Sequence, residues 1–349
     1  MKKKQPRPLR ILFVGFGNVA QKMAAMLTSE RQLFPGLQDL ELEIIGIFTK
    51  QRGALVDPAG IDLAAALERF RENGAFPGQK QLSAQQAVEE LDYDVLVELS
   101  TLSIAAKGEP AISHVRSALK RKCHVVTANK GPAAFAYREL DRLARQNGVR
   151  FLFESTVMDG APVFSLRHSL RGCRVTGVSG ILNTTTNFVI SRLEQGENMD
   201  SAIKTAQELG FAEADPALDI EGWDAAAKTA ILANVFMGAD ITPLQVERQG
   251  ISDLTASEAG RALKNGRCLK LICRAWEEKG AVQARVGVEE ISLRHAFAAV
   301  SGKGAILRIE TDLLGPILVS QENPTLADTA AGVLFDLLTV QETKKEDAK

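Results

Sequence analysis

An apolar stretch, Ile11-Leu-Phe-Val14, runs directly into Gly15-Phe-Gly17-Asn-Val-Ala20, and this junction limits the possible folds more than any other segment. It reads as a strand, a tight turn and the start of a helix, the pattern G-x-G-x-x-G/A. Gly15 would make the turn. Gly17 would let the backbone approach a pyrophosphate held at the N-terminal amides of Asn18 and Val19. Ala20 would let helix and strand pack closely. The alternative is a tight turn without a ligand. A strand before and a helix after favour dinucleotide binding.

The rest of the first half supports a dinucleotide-binding fold. Strands are predicted at Arg10–Gly15, Leu42–Thr49, Asp94–Ser100, His124–Ala128 and Val149–Glu154. Helices are predicted at Asn18–Ser29, Asp62–Arg71, Gln85–Leu91, Glu109–Arg121 and Ala134–Gln146. Val-, Ile- and Leu-rich strands alternating with amphipathic helices imply a parallel sheet covered on both faces. The second half is mixed. A strand at Val175–Asn183 leads into helices at Thr184–Leu193, Asp200–Leu209, Trp223–Met237, Pro243–Gln249 and Ala256–Asn265. Strands come next at Arg267–Trp276, Ala281–Glu289, Ala305–Thr311 and Ile317–Gln321, with turns at Glu278–Gly280 and Leu314–Pro316 marking hairpins. Leu326–Leu338 reads as a closing helix, and Gln341–Lys349 as a solvated, frayed end.

Composition narrows the partners. Forty-two Lys and Arg against 43 Asp and Glu give a formal charge of -1, so nothing electrostatic calls for nucleic acid or an anionic membrane. Aromatics make up 5%, too few for a base-stacking surface. Cys123, Cys173, Cys268 and Cys273 form no C-x-x-C and read as reduced thiols. No run reaches the roughly 18 apolar residues of a membrane helix. The expected protein is soluble and cytoplasmic.

Two charge patterns point to chemistry. The second strand ends in Thr49-Lys50-Gln-Arg52, with no carboxylate between Glu43 and Asp57 to take a ribose 2′-hydroxyl. Lys50 and Arg52 stand where a 2′-phosphate needs positive charge, so NADP is expected ahead of NAD; the competing reading is solvated loop charge. Farther on, Glu213, Asp215, Asp219, Glu221 and Asp224 precede Lys228. Asp224 and Lys228 share a helix face at i, i+4 spacing. They could be an ordinary surface pair. On a buried Ala-rich helix, however, such charges must pair or bind something. Carboxylates suit a small substrate bearing an ammonium group, and the lysine suits proton transfer or a substrate oxygen.

In order along nearly the whole chain, GFGNVA, VLVELS with GEPA, HVVTANKGP, FESTV-x-x-G-x-P, GILNTTTNF and AEADP-x-x-D-x-EG-x-DAA-x-K resemble the homoserine dehydrogenases. The resemblance implies reversible reduction of L-aspartate 4-semialdehyde to L-homoserine with NADPH or NADH, on the path to threonine and methionine. It implies an α/β fold: a Rossmann-like doubly wound parallel sheet, at 1–155 and completed by 322–340, with an α+β catalytic and dimerisation domain at 156–321. A homodimer is expected. The resemblance makes Lys228 the proton donor with Asp224 as partner, and sets Lys130 near nicotinamide and substrate. It gives Glu213, Asp219 and Thr185 to the substrate, and Ser100 and Thr101 to the cofactor. Glu154, Val157, Asp159 and Ala161 match a sodium site built largely from main-chain carbonyls.

The chain departs from the family at Val157-Met-Asp-Gly160, at Asn183-Thr-Thr-Thr186 where Asn-Gly-Thr-Thr is common, and at Gln321-Glu-Asn-Pro324 in place of a glycine-rich stretch. A sister oxidoreductase acting on another small hydroxy or amino acid would show itself there. A non-catalytic dinucleotide-binding protein would have no use for Asp224, Lys228 and Lys130 together. The chain stops soon after Leu338, so neither a regulatory domain nor the feedback it would carry is expected.

Overall fold

Apolar residues on consecutive positions need cover on both faces of a strand, and β1 (Leu9–Val14) receives it. Leu9 and Ile11 to Val14 are all buried. The computed structural model describes residues 7–76, 82–210, 212–213 and 215–347. The Lys50–Ser83 elaboration and the acidic segment are therefore described except for 77–81, Phe211 and Ala214.

After β1 come α1 (Asn18–Leu27), β2 (Leu42–Phe48), β3 (Ala54–Val56), α2 (Leu63–Asn73), α3 (Ala84–Glu90) and β4 (Val95–Glu98). Beyond β4 lie α4 (Ala111–Lys120), β5 (His124–Thr127), α5 (Lys130–Phe135), α6 (Tyr137–Gln146) and β6 (Phe151–Leu152). The six strands lie in the order β3-β2-β1-β4-β5-β6. β1 pairs parallel with β2 on one side and β4 on the other, which sets the switch point of the sheet between β1 and β4.

The sheet is not parallel throughout: β3 folds back antiparallel on β2 through the turn 49–53. This edge strand is too short to leave a period in the sequence. The helix expected over Ala134–Gln146 is two. Asn129 Oδ1 accepts Gly131 N–H at 2.8 Å, which starts α5 at Lys130, and Ala136 breaks the run with φ −141°. Pro132 is tolerated because it lies in the first turn, where its missing amide costs nothing.

The second unit, 163–324, has its own sheet. Its elements are α7 (Leu166–Ser169), β7 (Val175–Ile181), α8 (Thr184–Glu194), α9 (Met199–Glu208), α10 (Ala217–Ile220), α11 (Trp223–Met237), β8 (Glu247–Arg248) and α12 (Ala256–Lys264). The strands β9 (Arg267–Glu278), β10 (Ala281–Ser292), β11 (Ala305–Thr311) and β12 (Ile317–Gln321) complete it. The order is β12-β11-β7-β9-β10-β8, with β8 alone running parallel to its neighbour. The helix expected at Pro243–Gln249 is instead a 3-10 turn, Pro243–Gln245, with β8 directly after it. Gln245 Oε1 accepts Thr242 N–H at 2.9 Å, closing the turn before it can extend, and Val246 is already in the extended region.

Helix α11 is apolar nearly all round and runs through the middle of this unit, with Ala225 to Ala227 and Thr229 to Val235 buried. Its alanines let it approach the sheet: Cys273 Sγ on β9 lies 3.7 Å from Ala225 O.

The last helix, α13 (Leu326–Asp347), returns to the first unit, which comprises 1–162 and 325–349. Ala330, Val333, Leu334, Leu337 and Val340 join Phe13, Met23 and Ile47 in one core. The helix does not end at Leu338, and the tail is not frayed there. Gln341 is buried; it donates to Asp39 O at 2.8 Å and accepts Glu41 N–H at 2.9 Å. Lys344 pairs with Asp94 at 2.6 Å. A polar sequence hid a docked end because its polar groups are spent on tertiary partners. No helix among the described residues is long and apolar enough to cross a membrane.

Candidate active site

The turn after β1 is closed to every residue but glycine. Gly15 has φ +99°, and a Cβ there would lie 2.5 Å from Leu99 C and O and 2.7 Å from Ser100 N. Gly17 is the opposite case, with no heavy atom within 4 Å of a built Cβ. α1 then starts without a side-chain cap or an acidic residue in its first turn. Its first amides, at Asn18 and Val19, therefore lack a capping side chain at the switch-point crevice, an arrangement that suits an anion.

On the β2 side of this crevice, Lys50 and Arg52 are exposed on the 49–53 turn. Thr49 Oγ1 shapes that turn by donating to Gly53 O at 2.7 Å and accepting Arg52 N–H at 2.8 Å. The Arg52 guanidinium lies 5.9 Å from the Phe70 ring centroid, a cation–π distance.

On the other side, the ends of β4 and β5 carry a polar network around Ser100, whose other members the sequence reading gave no role. Glu98 is wholly buried. It accepts a short hydrogen bond from Ser100 Oγ and the Ser100 amide at 3.3 Å. Thr127 Oγ1 donates to Glu98 O at 2.7 Å. Asn129 Nδ2 donates to Ser100 Oγ at 3.2 Å, and its Oδ1 caps the helix that begins with Lys130. Thr101, next along, is exposed. One signal for Glu98 does stand in the sequence: an acid inside the otherwise apolar run VLVELS.

The second unit holds the acid–lysine cluster. Lys228 Nζ lies 3.1 Å from Asp224 Oδ2 and donates to Leu182 O at 2.5 Å. The two side chains are 13% and 14% exposed, which removes the ordinary surface-pair reading. Asn183 ties the cluster together. Its Oδ1 accepts Thr186 N–H at 2.8 Å as the N-cap of α8, so its Nδ2 must face the carboxylates. Nδ2 donates to Asp219 Oδ1 at 2.7 Å and to Asp224 Oδ2 at 2.9 Å. Thr185 Oγ1 donates to Asp219 Oδ2 at 3.1 Å.

Burial pushes the Asp219 carboxyl up, the Asp224 charge adds to the shift, and the Asn183 and Thr185 donors oppose it. Burial likewise pushes the Cys273 thiol, beneath the cluster, up to about 11. Glu213 is exposed before α10, and its carbonyl accepts Gln207 Nε2–H at 3.2 Å. The structure thus gathers Asp219, Asp224, Lys228 and Thr185 and adds Asn183. An Asn at the junction of a strand and a helix was the signal for Asn183.

A turn that only glycine can make, at the switch point of the first sheet, and a carboxylate–lysine cluster in the second unit agree with the comparisons. The family model for homoserine dehydrogenase matches residues 162–338, and that for the homoserine dehydrogenase NAD binding domain matches 15–154. An NAD(+)-dependent homoserine dehydrogenase of Pseudomonas canavaninivorans is 34% identical over 97% of this chain and 98% of its own. The chain belongs to the homoserine dehydrogenase family. Its members are NAD(P)-dependent oxidoreductases. The crystal structure of a putative homoserine dehydrogenase from Archaeoglobus fulgidus has a TM-score of 0.84 and 32% identity, covering 95% of this chain and 99% of that one. A hyperthermophilic archaeal homoserine dehydrogenase in complex with NADPH has a TM-score of 0.79 and 29% identity, covering 97% and 98%.

The departures from the homoserine dehydrogenase pattern have local explanations. Thr184 is the first residue of α8 and adopts no positive φ, so the missing glycine costs no strain there. Asp159 takes φ +37°, which an aspartate tolerates, and its Oδ1 accepts the Thr329 hydroxyl at 3.1 Å. Gly160 and Gly332 meet backbone to backbone: a Cβ on Gly332 would lie 2.5 Å from Gly160 Cα.

Glu154, Val157, Asp159 and Ala161 all lie in this one tight segment. Glu154 is buried, and its amide donates to the buried Asp336 Oδ2 at 3.0 Å. Burial, with Glu154 nearby, pushes the Asp336 carboxyl up to about 8. Buried oxygen donors of this kind suit a hard cation. Among the described residues, no group of three or more His, Cys, Asp or Glu could hold a metal, so carbonyls would have to supply the rest of any such site.

Proposed function

We propose that this chain is an NADP-preferring homoserine dehydrogenase interconverting L-homoserine and L-aspartate 4-semialdehyde, serving threonine and methionine synthesis. The observation that carries the reading is the largely buried Lys228–Asp224 pair, joined through Asn183 to Asp219. When bound, NADPH supplies a hydride and leaves as NADP+. The aldehyde carbon that accepts the hydride leaves its π pair on oxygen. Lys228 Nζ steadies that charge and gives the oxygen its proton. Asp224 and Leu182 O hold Nζ in place. Lys130, at the cap of α5, is the second lysine assigned to the reacting end.

Asp219, with Thr185 on one oxygen, takes the substrate ammonium group, and exposed Glu213 completes that role from its loop. Gly15, Gly17, Asn18 and Val19 take the pyrophosphate, Lys50 and Arg52 the 2′-phosphate, and Ser100 and Thr101 the inner part of the cofactor. The same reading gives the 154–161 segment to sodium, supported by the burial of Glu154, and joins two copies as a homodimer.

The deciding experiment is steady-state kinetics on Lys228 variants with a panel of small hydroxy acids. Lys228→Ala is expected to lower kcat on homoserine by roughly 10²–10⁴, with NADP affinity unchanged by fluorescence titration. Lys228→Arg should recover little, since a guanidinium does not release its proton. If Lys228→Ala keeps its kcat while Lys130→Ala loses it, the proton comes from the other lysine.

A further inference from the structure

We propose that the buried Glu98 carboxylate makes the dinucleotide crevice favour the oxidised cofactor over the reduced one, by placing a fixed negative charge beneath the nicotinamide half. The inference rests on dinucleotide binding alone and is independent of which hydroxy acid is the substrate.

Glu98 ends β4 and is fully buried. Every hydrogen bond it receives comes from a neutral group. The Ser100 hydroxyl and amide reach Oε1, and the Thr127 hydroxyl lies 3.4 Å from Oε2. Among the described residues, no lysine or arginine pairs with it. Among the described residues, the basic group that approaches it is His114 on α4, whose Nδ1 is 4.0 Å from Oε1, beyond hydrogen-bond length. That Nδ1 is itself buried without a partner. A negative charge buried among neutral partners would be costly and would call for a positive complement.

The topology indicates where the complement would lie. Gly15 abuts Leu99 and Ser100, so the pyrophosphate turn and the end of β4 are adjacent. A dinucleotide crosses the strand ends at the switch point, with its adenosine ribose toward β2. The other half therefore extends over the ends of β4 and β5, where Ser100, Thr127 and Asn129 connect to Glu98. An oxidised nicotinamide ring carries a positive charge, and a reduced ring carries none. A carboxylate below it therefore attracts one form and is indifferent to the other. Ser100 would be the polar layer between charge and ring, and Glu98 acts through the field.

The test measures dissociation constants of NADP+ and NADPH by fluorescence titration, without substrate, for the wild type, Glu98→Gln and Glu98→Asp. Unit charges a few ångströms apart at an effective dielectric of about 20 give a preference of at least about tenfold. The ratio of the NADP+ to the NADPH dissociation constant should accordingly rise at least about tenfold in Glu98→Gln and stay at the wild-type value in Glu98→Asp. Binding of 2′,5′-ADP, which lacks the nicotinamide, should be the same in all three and reports that the crevice is intact. If Glu98→Gln fails that control, Glu98→Leu replaces it as the charge-free variant. A ratio unmoved in an intact charge-free variant, or both constants weakened by one common factor, overturns the proposal.

Discussion

The Asp219 carboxyl is buried beside Asp224, so its ionisation carries a cost in the folded chain. Burial and Asp224 raise it above the ordinary carboxylate range in the folded chain. Because the folded value exceeds the unfolded one, the fold is favoured below the ordinary carboxylate range and loses that contribution as pH rises through the folded value. Asp219→Asn removes the titrating group while keeping an oxygen that can accept from Asn183 or Thr185. It is expected to raise the urea midpoint more at pH 8 than at pH 5, while the KM for homoserine rises. Equal midpoint shifts at both pH values would show that Asp219 carries no such penalty. A second expectation concerns Lys50 and Arg52, exposed on the β2–β3 turn. Each charge-assisted bond to a phosphate contributes about 1.5–3 kcal/mol. Replacing both with alanine should raise the KM for NADP by more than about tenfold and leave that for NAD nearly unchanged. A variant losing both cofactors equally would assign the turn to folding.

Elements were legible where a period or a cap marked them and hidden where tertiary partners decided. A glycine on each side, Gly222 and Gly238, delimits α11 at Trp223–Met237, the span expected. The GFGNVA turn was readable because Gly15 cannot be anything else, and the acid–lysine pair because its spacing puts both groups on one face. Asn183 and Glu98 were not singled out, since their roles depend on residues from other strands and helices. The docked end of α13 was hidden for the same reason. Gln341 reads as a tail residue yet bridges Asp39 O and Glu41 N–H from a buried site. Gln341→Ala removes the partner of the Asp39 carbonyl and the Glu41 amide, two part-buried hydrogen bonds. A loss of about 0.5–1.5 kcal/mol is expected, read as a lower urea midpoint with unchanged slope. A change below a few tenths of that would return the tail to the frayed end its composition suggests.

At the scale of the whole chain, the first unit is discontinuous. Residues 1–162 supply six strands, and 325–349 return to cover them with α13. Five residues of that helix lie in the core of the first sheet, and each large aliphatic side chain there contributes about 1.5–3 kcal/mol on burial. Residues 1–162 alone would expose that core and are not expected to fold. The cut ends are close, because a Cβ on Gly160 would touch Asp328 O at 2.3 Å and Ser155 Oγ donates to Thr329 O at 2.8 Å. A short Gly-Ser linker can therefore join Pro162 to Thr325 without crossing the molecule. The fusion keeps Gly15, Lys50, Arg52, Glu98 and Lys130 but lacks Asp219, Asp224 and Lys228. It should melt cooperatively and bind 2′,5′-ADP with the affinity of the full chain, yet oxidise no homoserine at all. Residues 1–162 without the helix should bind nothing and show no cooperative melt. If they bind 2′,5′-ADP as well as the fusion does, the closing helix is not needed for the nucleotide crevice. If the fusion turns over homoserine, the proton donor lies in the first unit, which would give that role to Lys130.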